Sequence, residues 1–316
     1  MVARALESLL GGVVDFAGLY PPAALDMGAA VRAYAAYRRG SRAWMLGRFV
    51  VPSARLAELE AAAAAARVLD DGPGPWLVVA TGSAAADADL EQIRAFSARQ
   101  PPDGSARLTV DTYENRVSTA GDVSRLAEAS RGAWRVACEV PFAGSAADSI
   151  VALDELLAAI RMVGGIAKAR TGGVTPEAIP DGHAVARFLY RCARIGVPMK
   201  ATAGLHHPIR ARHRLTYAPD SPTAVMHGFL NVFAAAAFAP ALVRTEPEES
   251  ATRALTDILD ETDPGAFVFD DESLRWRDLR VGFEAIEAVR ASGALSFGSC
   301  SFEEPVDDLR RLGHEL

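Results

Sequence analysis

Lysine is almost missing from this chain. Of its 33 Lys and Arg residues only Lys168 and Lys200 are lysine, which leaves 31 arginines. Cysteine is scarce as well: Cys138, Cys192 and Cys300 show no paired spacing and no C-x-x-C, so neither a disulfide framework nor a structural zinc site is signalled. A reducing, cytoplasmic setting is the expectation. Positive charge is in deficit, at a formal net charge of -7, which removes the broad basic footprint of a nucleic-acid binder. Long apolar runs are absent too. The charge-free stretch from Ala224 to Val243 is interrupted by His227, Gly228, Asn231 and Pro240, so it predicts a buried core helix and no membrane span. Glu7 and Asp15 break the apolar stretch that a leader peptide would need, and the N-terminus reads as mature protein. No G-x-G-x-x-G follows the first apolar run, which argues against a dinucleotide fold.

What is there is a repeat of short apolar runs and longer helical segments. The runs "GVVDFAG", "AWMLGRFVV", "PWLVVATG", "ARLTVDTYE", "WRVACEVPF", "GIAKARTGG", "VPMKATAGLH" and "ALSFGSCSF" make eight strands, the number that closes a (β/α)8 TIM barrel. Between them the pattern predicts helices over 27–39, 54–69, 88–99, 121–130, 149–163, 182–195, 222–238, 248–260 and 278–292, with N-caps at Ser53 and Asp181. The reading is α/β, one domain over 1–316, with an enlarged segment at 206–278 between strands seven and eight that would supply a lid or an interface. The part from His206 to Pro222, rich in His and Arg, is expected to cover the mouth.

Polar residues at the carboxyl ends of barrel strands converge on one mouth. Strand by strand the candidates are Asp15, Arg48, Asp111, Glu139, Lys168 with Arg170, Lys200, and Ser299 with Ser301. In a chain that otherwise chose arginine, a lysine inside an apolar strand points to amine chemistry: guanidinium stays protonated, whereas a buried ammonium can give up its proton and attack a carbonyl. Two ammonium groups on neighbouring strands would each disfavour the other's charge, so that one titrates low. Asp15, Asp111 and Glu139 are then candidate proton carriers or counter-ions.

The strings "AKARTGG", "MKATAGL" and "SFGSCSF" resemble the sixth, seventh and eighth strands of the deoxyribose-phosphate aldolase family, class I aldolases on a (β/α)8 barrel. The resemblance implies that Lys168 forms a Schiff base and that Lys200 perturbs it. "VVDFAGL" and "LTVDTYE" resemble the family's first and fourth strands, which implies a proton-relay role for Asp111 and matches Asp15. Gly204, Ser299 and Ser301 partly preserve the family's phosphate-binding pattern, and Arg170, Gly173, Arg48 and His206 complete the candidate substrate contacts. The chain departs from that pattern at Leu205 and His206, and Glu303 and Glu304 at the start of the last helix would repel a phosphate. Sugar-phosphate specificity is therefore not implied.

The expected function is an imine-forming aldolase or related lyase acting on a small carbonyl compound that could be anionic, with no cofactor and no metal. No nucleic-acid or membrane partner is expected, and a homo-oligomer is left open. Two alternatives stand beside it: an acid/base or metal-assisted isomerase or hydrolase, with His206 or His207 joined by Glu139 or Asp111 at a metal, and a non-catalytic binding protein of aldolase descent. Adjacent strand residues point to opposite faces, so at most one of the two histidines would face the mouth. In "HHPIRARHR", Arg210 and Arg212 could grip an anion or simply be solvated.

Overall fold

Parallel strands alternate with helices and close on themselves in a computed structural model. It describes residues 2–69, 74–101, 107–142 and 147–313, with the side chains of 147–150 left aside. After helix α1 (Arg4–Leu10) the elements follow as β1 (Val14–Phe16), α2 (Met27–Arg39), β2 (Leu46–Pro52), α3 (Leu56–Ala65), β3 (Trp76–Thr81), α4 (Ala86–Arg99), β4 (Leu108–Arg116) and α5 (Ala120–Ser130). Next come β5 (Arg135–Glu139), α6 (Ala147–Met162), β6 (Ile166–Arg170), α7 (Gly182–Ile195) and β7 (Met199–Thr202). The remainder is β8 (Ala211–Arg214), β9 (Thr223–Met226), α8 (Phe229–Thr245), α9 (Glu248–Asp260), β10 (Phe267–Phe269), β11 (Ser273–Trp276), β12 (Leu279–Gly282), α10 (Phe283–Ser292), β13 (Ala294–Ser299) and α11 (Glu303–Arg311).

The closed sheet runs β1-β13-β7-β6-β5-β4-β3-β2, a (β/α)8 TIM barrel whose eight strands are the eight apolar runs of the sequence. Alternation along each strand sorts side chains between two environments. Phe16 and Phe49 leave the barrel and pack with Tyr34 of α2 and Trp76, while Phe297 stacks on Phe229 and packs at a tilt against Phe233 of α8. Their neighbours Asp15, Arg48 and Ser296 turn inward. A substantial greasy layer between sheet and helices thus fixes the orientation of the polar residues between the aromatics.

Local chemistry set several helix ends. Asp181 caps α7 by accepting from the Ala184 N–H at 2.7 Å, and Gly196 ends it in the left-handed region at φ 75°. Ser53 is no cap: it lies in a short 3-10 turn and its hydroxyl donates to buried Asp89 at 2.6 Å.

The enlarged segment differs from the continuous helices expected over 222–238 and 278–292. Residues 211–214 and 223–226 form an antiparallel hairpin before α8 begins, and 267–282 form a three-stranded antiparallel meander before α10. Thr223 to Met226 alternates exposed and buried residues, the pattern of a strand with one face covered, and this overrides the helix expectation. Among the described residues, no helix is long and apolar enough to cross a membrane.

Candidate functional site

The strand ladders place four of the key side chains in one row. Arg116 on β4 pairs with Glu139 on β5, Glu139 with Lys168 on β6, and Lys168 with Lys200 on β7. Residues paired across a parallel ladder share a face, so all four line a cavity of ≈ 1200 Å³ at the carboxyl ends of the strands. Both lysines are buried, Lys168 at 7% exposure and Lys200 at 3%.

The two ammonium groups do not confront each other directly, because Glu114 stands between them. Its carboxylate lies 2.8 Å from the Lys168 Nζ and 2.5 Å from the Lys200 Nζ. Glu139 lies 3.1 Å from the Lys168 Nζ on the other side, and Asp15 accepts from the Lys200 Nζ at 2.7 Å. Asp15 is held in turn by Ser296, which donates to it at 2.7 Å, and by the Arg48 N–H at 2.8 Å. The outcome is a chain of alternating sign, Glu139, Lys168, Glu114, Lys200, Asp15, sunk in the barrel.

Charge pairing sets the protonation states. Burial pushes the Glu114 carboxyl upward, but Lys168 and Lys200 outweigh it and hold the group at about 2. Burial works against the Lys200 ammonium, yet Asp15 and Glu114 more than compensate and move it above the usual lysine range. Glu139 is also lowered: burial raises it, and Lys168 and Arg170 prevail. The direct lysine–lysine repulsion expected from the sequence is thus screened by a carboxylate that the sequence reading did not single out.

Glu114 reaches this position through an irregularity in β4. The β3–β4 ladder pairs Val78 with Val110 and Val79 with Thr112, so Asp111 is an extra residue in the register. Alternation counted from Asp111 would send Glu114 away from the barrel interior; the bulge resets the count, and Glu114 and Arg116 line the cavity. Asp111 remains near the start of β4, where the Arg48 guanidinium donates to both of its oxygens at 2.9 Å. Neither Asp111 nor Arg48 lines the cavity, and the structure does not bring Asp111 to the lysines.

The wall also includes Tyr20, Thr81, Arg170, Gly173, Thr202, Gly204, His206, Gly298 and Cys300. The loops after β6 and β7 touch through their backbones: a Cβ on Gly204 would sit 2.9 Å from the Gly172 Cα, and Gly204 has φ 78°. Gly298 of β13 and Cys300, just past its end, line the cavity. Ser299, between them, is buried, and its hydroxyl accepts from the Ser301 N–H at 3.4 Å, while Ser301 accepts from the Glu304 N–H at 3.1 Å. These two serines therefore shape the entry to α11.

His206 lines the cavity and pairs through Nδ1 with Glu304 at 3.0 Å, whereas His207 turns to Asp308 at 2.5 Å and stacks on His213. Burial disfavours the His206 imidazolium, but Cys300 and Glu304 overcome it and lift the group to about 9. Cys300 lies 4.0 Å from that same Nδ1, so His206 cannot use opposite ring nitrogens for thiol and carboxylate, as a Cys-His-Glu triad requires. Among the described residues, no group of three or more His, Cys, Asp or Glu is placed to hold a metal ion. The β8–β9 hairpin borders the mouth, with Leu215 and Met226 in the wall and the Tyr217 hydroxyl donating to Glu304 at 3.3 Å.

Comparison with protein-family models, with curated proteins and with solved structures finds no match to this chain, so the functional reading rests on the barrel and on the chemistry of its mouth.

Proposed function

We propose that this chain is a class I, imine-forming aldolase or related lyase that acts on a small carbonyl compound, with Lys168 as nucleophile and Lys200 as the neighbouring charge. The observation that carries the reading is the Lys168–Glu114–Lys200 bridge: a buried lysine with a carboxylate at 2.8 Å, at the floor of a cavity, beside a second lysine kept charged by Asp15. Lys200 suits the supporting role because its partners favour the ammonium form.

In this reading Glu114 takes a proton from Lys168, and the freed amine adds to the carbonyl carbon to form a carbinolamine. Once Lys168 is neutral, one of the two charges that depress Glu114 is gone, so the carboxylate becomes a better base as the step proceeds. Glu114 or Glu139 returns a proton to the carbinolamine hydroxyl, which leaves as water and gives the iminium. Glu114 or Glu139 then takes the proton of the β-hydroxyl as the Cα–Cβ bond breaks; the β carbon leaves as the carbonyl product, the pair of the broken bond becomes the carbon–carbon double bond of an enamine, and the iminium π pair moves onto nitrogen. Protonation of the enamine and hydrolysis free the second product and Lys168. Lys200, fixed as an ammonium by Asp15 and Glu114, stabilises developing oxyanions.

The test is borohydride trapping with a panel of small aldehydes and ketones, read by peptide mass spectrometry. A stable adduct on Lys168 supports the proposal. Absence of any adduct across the panel, with turnover of one of the same compounds, would assign the lysines to purely electrostatic work in an acid/base enzyme.

A further inference from the structure

The wall formed by β4, β5 and β6 carries a second cationic feature. Arg116 and Arg170 each donate through Nε to the same Glu139 oxygen, at 3.2 and 3.1 Å, while the other Glu139 oxygen faces Lys168 at 3.1 Å. Among the described residues neither guanidinium has a partner at its Nη atoms, and both residues line the cavity. The third arginine of the wall, Arg125, is taken up by Asp122. Within the linked cluster Arg116, Arg170, Lys168 and Lys200 face Glu139, Glu114 and Asp15, which leaves one positive charge in excess. On the far side of the mouth Glu304 is paired with His206 and accepts from the Tyr217 hydroxyl, so that side adds no excess charge.

We propose that Arg116 and Arg170 form a subsite for the anionic group of the substrate, splinted by Glu139, so that the substrate is a short carbonyl compound bearing a carboxylate or a phosphate ester. The proposal deepens the imine reading and rests on it. Two guanidiniums that share one carboxylate oxygen through Nε have their Nη edges left for a second oxyanion, the geometry in which arginine recognises carboxylate and phosphate. The spacing limits the substrate. Two charge-assisted contacts across one carboxylate set the guanidiniums roughly 6–8 Å from the Lys168 Nζ. After allowance for the bond to the carbonyl carbon and one hydrogen bond to the anion, the anionic group lies within a few bonds of the carbonyl.

The experiment uses matched probes on the full chain: pyruvate for the carboxylate, dihydroxyacetone phosphate for the phosphate ester, and hydroxyacetone as the neutral reference. Borohydride trapping on Lys168 is titrated in the wild type, in the Arg116→Ala, Arg170→Ala double variant and in the Arg116→Lys, Arg170→Lys variant. The expected result is that the ratio of anionic to neutral trapping efficiency falls about tenfold or more in the Ala variant, as for loss of a charged contact, and partly recovers with Lys. The anionic probe whose ratio collapses identifies the source. A ratio that stays constant, whether all probes weaken together or none does, overturns the subsite. Binding of lactate, a carboxylate without a carbonyl, is measured by titration calorimetry in the same proteins. Lactate binding that requires the arginines, without any trapped adduct, would keep the anion site and sink the imine reading. Lactate binding unaffected by the substitutions, with trapping ratios that stay constant for pyruvate and dihydroxyacetone phosphate, would sink the anion site alone.

Discussion

Replacing Glu114 by Gln tests the central bridge without changing its shape. In the folded protein the Glu114 carboxyl titrates at about 2, against 4.5 for the free side chain. By linkage, that depression is worth about 3 kcal/mol of stability when the group is ionised. Because the folded value lies below the unfolded one, the contribution is complete above about pH 4.5 and is lost as the pH falls through about 2. A fully buried carboxylate shared by two lysines needs little discount for solvent, and breaking a buried ion pair typically costs about 3–5 kcal/mol, in agreement. Glu114→Gln is therefore expected to be less stable than wild type by about 3 kcal/mol at pH 7, with the gap closing as the pH approaches about 2. Denaturant titrations of both proteins at a series of pH values, followed by far-ultraviolet circular dichroism, measure the gap directly. Carboxylates and histidines outside the Glu139–Lys168–Glu114–Lys200–Asp15 chain titrate alike in both proteins, so they cancel in the difference. A gap that is absent at neutral pH, or that stays constant on acidification, would refute the bridge.

Lys168→Arg keeps the cation but not the amine, so trapping and turnover should vanish while thermal unfolding stays within a few degrees of wild type; retained turnover on an identified substrate removes Lys168 as nucleophile. Lys200→Leu should leave Asp15 and Glu114 buried without their shared cation, at a cost of about 3–5 kcal/mol, and should shift the pH-rate profile for trapping on Lys168 to higher pH; an unmoved profile ends the tuning role. The His206–Glu304 pair contributes stability that is complete below about pH 6.5 and is lost as the pH rises through about 9, so His206→Gln should narrow the difference in unfolding midpoint between those two pH values. Gly204→Val places a branched side chain at φ 78° with its Cβ against the Gly172 backbone, and a stability loss of at least about 2 kcal/mol is expected by denaturant titration.

The barrel was legible because each strand carries its own signature. Phe16, Phe49 and Phe297 mark the outward face, and the residues beside them had to point inward. Lys168 and Lys200 could be found because lysine is so rare here. Glu114 could not, since its inward direction depends on a bulge at Asp111 that no local pattern in "LTVDTYENR" announces. The same bulge explains why Asp111, which the family resemblance favoured, is tied to Arg48 instead. The β8–β9 hairpin and the meander were hidden for a different reason: their strands are three or four residues long, too short for periodicity to separate them from the helices that follow.

Burial of both lysines has a practical side. With every other basic residue an arginine, the surface offers amine-directed reagents no side-chain ammonium at all, since Lys168 and Lys200 are 7% and 3% exposed. Apart from the chain's own α-amino group, acylating labels can enter only through the barrel mouth. A small active ester would then count open cavities molecule by molecule, and a ligand seated on the floor would be read as protection from labelling, with no need to know the reaction it undergoes.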